Sequence, residues 1–248
     1  MRKVQFRGLH SDKKAEFIYI NDGFFRKRND VNGLFMQTLI ICLLLITTGC
    51  SKTKIEYWSN GNKKSELKFY NGKMNGLCTW WYEDGTKQME CNYQDNKLEG
   101  KSIRWNFDGT KQREDNYSNN LLNGISVIFY DNEAKKSEQN FKNDSLEGLS
   151  REWFKNGQIK VTGSYKKGYF DGKWIYTDIY GLKAGEGEFV SGTGNQTGYY
   201  PDGKISRKIH YVKNKKNGLE TWLNTSGDTL KKNIYENDRI VFQKVYKK

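Results

Sequence analysis

The residues of this 248-residue chain best able to do chemistry are four cysteines and two histidines. Cys42 lies in an apolar run, and Cys50 closes the small-residue stretch Thr47-Thr48-Gly49-Cys50 at its end. Cys78 and Cys91 stand on either side of Asp84-Gly85. A two-residue turn there would set them opposite each other, as a disulfide in an oxidising compartment requires. A three-residue loop, Glu83 to Gly85 with the glycine left-handed, would place them on opposite faces, and the alternation of the flanking residues favours that loop. His10 falls outside the expected mature chain, and His210, beside Tyr211, reads as a surface strand residue. No spacing suggests a metal cluster, a nucleophile with its base or a phosphate-cradling loop. A non-enzymatic protein without catalytic residues, metal or cofactor is therefore expected.

The front of the chain is a different matter. Residues 34–50 read "LFMQTLIICLLLITTGC" and follow Arg26, Lys27 and Arg28. The run is too short for a comfortable membrane span, which takes about 20 residues. A basic stretch, a short apolar run and small residues form a secretory signal. Its ending resembles the bacterial lipobox, which implies lipidation of Cys50 and a lipid-anchored protein on the periplasmic or cell-surface side of the bacterial envelope. Residues 1–35 read as a non-repetitive N-terminal extension or a start assigned too early, with Met36 as an alternative start. Residues 34–50 are the signal, and 51–248 a single repeat domain.

The repeat positions the remaining residues. Stretches opening at Gly76, Gly100, Gly124 and Gly148 recur every 24 residues. A fixed period of this size marks a repeat architecture. Nine residues after each opening position, seven of eight units carry glycine, among them Gly85, Gly109, Gly157 and Gly203, while the unit opening at Gly124 has Glu133. Seventeen residues on, every unit has an aromatic, including Tyr93, Tyr117, Phe141, Tyr165, Tyr211 and Tyr235. Twenty residues on stands Gly, Asn or Asp in every unit, as at Asn96, Asn120 and Asp144. The unit opening at Gly172 is two residues short.

Both the ninth and the twentieth positions favour turns, because Gly, Asn and Asp tolerate positive φ. One unit is thus two short antiparallel strands, and about eight units give roughly sixteen strands. The expected fold is all-β, an elongated antiparallel meander of hairpins. Its recurring aromatics form a ladder that supplies the area a thin sheet cannot otherwise bury. With the three-residue loop, the seventeenth residue shares a face with the fifth. Trp80, Tyr82, Tyr130, Phe154 and Tyr200 then fall on the other face, as candidate partner-binding residues.

The stretches "WYEDG", "WFKNG" and "YYPDG", with the following "YQDNKLEG" and "YKKGYFDG", resemble MORN-type repeats, specifically the bacterial variant of YwqK-family antitoxins. The resemblance spans roughly residues 52 to 245. It implies an open, twisted sheet of hairpins, a binding or scaffold role and, in its sharper form, neutralisation of a toxin.

The charge reads first as a solvated face whose lysines blunt the strand edges, and second as a surface for acidic partners or anionic lipid headgroups. The chain carries a formal +13, and residues 1–50 hold eight Lys or Arg against four Asp or Glu, leaving the remainder strongly basic. Export excludes routine contact with nucleic acid. The expected partners are a protein, a toxin in the sharper reading, and the membrane through the lipid anchor. The alternative is an envelope scaffold holding membrane lipid or wall polymer.

Overall fold

A computed structural model of the chain describes residues 49–246. The N-terminal extension and the signal, apart from Gly49 and Cys50, lie outside the described residues. Nineteen strands and no helix are found among those described, all in one antiparallel sheet. Apart from two short pieces, each strand pairs with its neighbours in sequence, leaving Ser51–Tyr57 and Arg239–Val245 as the two edges among the described residues. The expected sixteen strands are all there. Lys73–Met74 and Leu121–Leu122 are short pieces separated from their main strands at Asn75 and Asn123, and Arg239–Val245 starts a ninth unit.

The unit opening at Gly76 shows the design. Gly76–Trp81 runs to a loop and returns as Lys87–Gln94. The Tyr82 N–H donates to the Thr86 carbonyl at 2.8 Å, and the Gly85 N–H to the Tyr82 carbonyl at 3.0 Å. Gly85 has φ of 91°, which glycine adopts without steric cost. This is the three-residue loop expected from the sequence. The second reversal is a two-residue turn, Asp95 (φ 50°) and Asn96 (φ 67°). Two left-handed residues in succession match the twist of the flanking strands.

What the sequence reading missed is a bulge. The register shifts by one residue between Trp80 and Trp81, and at the equivalent place in every other hairpin of this kind. The extra residue compensates for the odd loop, since a bulge sets two residues against one. Cys78 therefore pairs directly with Cys91, not on the opposite face. By the same shift Tyr93 shares a face with Cys78 and Trp80, not with Trp81. The expected grouping of the fifth and seventeenth residues is overturned. Both thiols are free and buried, Cys78 at 0% and Cys91 at 2% exposure. The Cys91 Sγ lies 3.1 Å from Ser102 Oγ.

The two faces now separate cleanly. On the inner face the seventeenth-position ring of every unit that opens with glycine stands opposite that glycine: Tyr93 opposite Gly76, Tyr117 opposite Gly100, Phe141 opposite Gly124. The same pairing holds for Tyr165, Tyr211 and Tyr235. A side chain missing on one strand leaves room for a large one across from it. The least exposed residues include the small ones between these rows, such as Ser65, Ser126 and Ser150. In a single-layer sheet this means that neighbouring side chains close over them.

The short unit has its own geometry. Elsewhere the second turn is followed by another register shift, as between Cys91 and Tyr93. Between strands Lys183–Val190 and Thr193–Tyr199, where two residues are missing, six successive pairs run without a break. The deletion removes the bulge. Around it cluster Tyr165, Phe170, Trp174, Phe189 and Tyr211, with ring centroids 4.8–6.3 Å apart in the contacting pairs. Gly163 permits this, because a Cβ there would meet the Trp174 ring at 2.1 Å.

Candidate binding surface

The outer face repeats one motif. Lys63, Lys87, Lys111, Lys135 and Lys183 each hold the ring at the fifth position of the next unit: Trp81, Trp105, Phe129, Trp153 and Tyr199. The distances from Nζ to ring centroid are 5.1–5.9 Å. Each of these lysines also pairs with a glutamate three residues on, Glu66, Glu90, Glu114, Glu138 or Glu186, at 2.5–3.1 Å. The strand sets both contacts. Three residues along the same strand would normally change face, but the bulge between lysine and glutamate returns them to one side. Hydrogen bonding and charge from Lys63 hold the Glu66 carboxyl below its usual range, and Lys183 does the same for Glu186.

Individually such exposed, solvent-screened pairs add little stability. Their combined effect is on shape: the rings and lysines are held in rows. Beside them runs a row of partly exposed aliphatics, Leu77, Ile125, Leu149 and Leu219. The face is thus partly apolar and regular along the sheet, with the lysines of the motif balanced one for one by its glutamates.

The five aromatics singled out from the sequence are not one patch. Trp80 lies on the inner face, opposite Met89 and Ser65. Tyr82, Tyr130, Phe154 and Tyr200 stand at the loop end of their hairpins, and all five residues are half-buried. Three of the hydroxyls are engaged between units. Tyr82 Oη donates to the Trp105 carbonyl at 3.0 Å, Tyr130 to Trp153 at 2.8 Å and Tyr200 to Leu223 at 2.6 Å. Trp58 makes the equivalent bond through its indole N–H to Trp81 at 3.1 Å. Where this position is Asn106 or Asn224, the side chain instead bonds within its own turn.

A second tether was hidden in the twentieth position. Asn96, Asn120, Asp144 and Asp238 each accept through Oδ1 a backbone N–H of the preceding unit, at 2.6–2.8 Å. Their own N–H donates to a carbonyl of the same neighbour at 2.9–3.0 Å. The signal was in the sequence, since a turn needing only positive φ would use glycine throughout. Asn214 reaches further. It spans the short unit, accepting from the Phe170 N–H and donating to the Gly168 carbonyl, both at 2.8 Å. Gly192 makes way for it, because a Cβ there would meet Asn214 Oδ1 at 2.6 Å.

Near the C-terminal edge the inner face turns polar. Glu220 is 1% exposed and accepts from Asn233 Nδ2 at 2.7 Å and from Tyr235 Oη at 3.2 Å. Arg207 and Lys216 lie 3.7 and 3.9 Å from its other oxygen. Burial pushes the Glu220 carboxyl up, but the Trp222 and Asn233 donors and these two cations outweigh it and hold it below its usual range. His210 is at the surface, its Nδ1 2.9 Å from Asn195 Oδ1.

Residues 74–95, 146–167 and 193–213 match the family model of the MORN repeat variant. Each stretch takes in one hairpin with its three-residue loop, closed at Gly85, Gly157 or Gly203. The chain carries MORN-variant repeats. Proteins built of MORN repeats serve in general as non-catalytic modules that bind protein or lipid. No curated protein matches the chain. Among the described residues no group of three or more His, Cys, Asp or Glu is placed to hold a metal ion.

Proposed function

We propose that this MORN-repeat protein is a non-enzymatic binding protein, anchored to the bacterial envelope through Cys50, that holds another protein against its outer face. In its sharper form it neutralises a toxin by covering an acidic surface. The observation that carries the reading is the lysine–ring–glutamate motif, set in register on one face in five units. A periodic surface of this kind suits extended contact with a macromolecule, because aromatic rings are the usual anchors of protein interfaces.

The position of Cys50 supports the anchoring. Its N–H donates to Asn71 Oδ1 at 3.0 Å, its carbonyl accepts the Asn71 N–H, and the first strand starts at Ser51. Lipid on Cys50 would hold the sheet edge against the headgroups with almost no spacer. That proximity favours the second reading, a scaffold that adheres to membrane through Lys52 and Lys54.

The test is a pull-down from native envelope with the chain tethered at its N-terminal end, followed by mass spectrometry. A single stoichiometric protein, lost when Lys87, Lys111 and Lys135 are all changed to Glu, supports the proposal. Recovery of lipid or wall polymer alone refutes it and favours the scaffold, as would liposome binding that collapses with salt.

A further inference from the structure

Across the inner face, residues in direct register form transverse rows. One row reads Val161, Tyr176, Gly185, Gly198, Arg207, Trp222, Lys231. The corresponding places in the other described units all carry side chains, such as Trp80 and Met89, or Arg104 and Arg113. Only here do two glycines stand side by side. Tyr176 and Arg207 are three strand spacings apart, about 14 Å at roughly 4.8 Å per strand, and the two residues between them in the row carry no side chain. The result is a cleft of about 260 Å³ lined by Tyr176, Gly185, Gly198, Gln196, Arg207 and Trp222.

Its walls are specific. One is the Tyr176 ring. The other is the Arg207 guanidinium, 5.1 Å from the Trp222 ring centroid and bonded through Nη2 to Gln196 Oε1 at 3.2 Å. The guanidinium is thereby fixed in orientation while retaining N–H donors without a hydrogen-bond partner among the described residues. Charge on that side is positive. Glu220 is shared between Arg207 and Lys216, and Lys231 stands opposite Trp222 in the same row.

We propose that this slot receives an aromatic side chain of a bound protein, with a carboxylate beside it on Arg207. The proposal rests on the reading of the chain as a protein-binding module and adds the inner face to it as a second contact surface, apart from the outer-face rows. A flat ring covers paired glycines in a sheet better than an aliphatic chain does, as cross-strand aromatics do for glycine within proteins. It gains an edge contact with Tyr176 and a cation contact with Arg207. A carboxylate suits the guanidinium because two parallel N–H donors can meet its two oxygens.

The test titrates the ¹⁵N-labelled full chain with N-acetyl-phenylalanine, with its uncharged amide and with maltose, following the Gly185 and Gly198 amides. The acid should shift both signals and bind at least fivefold more tightly than the amide. Gly198→Val should weaken it tenfold or more, since the added Cβ is crowded only by the rotatable Ser206 hydroxyl and by Arg207 Cβ, at 3.1 and 3.4 Å. Arg207→Gln should remove the preference for the acid. No shift with any probe, equal binding of acid and amide, or a response to maltose alone would overturn the proposal. A partner recovered equally by Gly198→Val and the unaltered chain would overturn the slot while leaving the binding-module reading intact. Probe binding without any protein partner would support the slot's chemistry and overturn the module reading.

Discussion

Glu133 is the sharpest test of the repeat geometry. It is the one residue other than glycine at the ninth position of the eight units, and it adopts φ of 60°. Its loop is otherwise like its neighbours: the Glu133 N–H donates to the Tyr130 carbonyl at 3.0 Å, the distance Gly85 has to Tyr82. The side chain is exposed. A left-handed residue with a Cβ costs roughly 1–2 kcal/mol. Glycine would relieve that but adds about 0.5–1 kcal/mol of backbone entropy to the unfolded state. Glu133→Gly should therefore stabilise by about 0.5–1 kcal/mol. With a urea m-value of about 2–3 kcal/mol/M, the midpoint rises by roughly 0.2–0.5 M. Glu133→Ala removes the same charge but keeps the strain, so it should not reproduce the gain. A midpoint that is unchanged or lower for Glu133→Gly, or an equal gain for the alanine variant, would refute the strain account.

Other expectations follow from the packing. Phe189→Ala removes a ring only 2% exposed from the aromatic cluster and should cost about 3–5 kcal/mol by urea unfolding. Tyr82→Phe and Tyr130→Phe keep their rings but lose a hydrogen bond between units, and each should cost about 1 kcal/mol. Asn214→Gly keeps the backbone conformation and loses two bonds across the short unit, so it should destabilise by about 1–2 kcal/mol, more than Asn120→Gly, which loses one. The depressed Glu220 pKa means that its contribution is present above the ordinary carboxylate range and is lost as pH falls through the lowered value. Unfolding midpoints between pH 7 and pH 3 should show this loss, with a smaller slope in Glu220→Gln.

The period, turns and strand count were legible because each depends on local chemistry. Glycine at Gly85 and asparagine at Asn96 meet backbone requirements within a few residues, and the 24-residue spacing repeats them visibly. The lipidation reading of Cys50 likewise rests on a contiguous stretch of sequence. The faces were not legible. A one-residue bulge after the loop reverses every side chain in the returning strand, and no residue type at that place announces it. Cys78 and Cys91 therefore meet only in the folded chain. The same holds for the Tyr82 hydroxyl, which meets the Trp105 carbonyl only once the next unit is in place. Gly185 and Gly198 are separated by a strand, a turn and part of another strand, and only their register makes them one opening. The sequence by itself determined how the chain turns and how often. Tertiary structure decided which side chains face the same way, because alternation carries a single register shift through an entire strand.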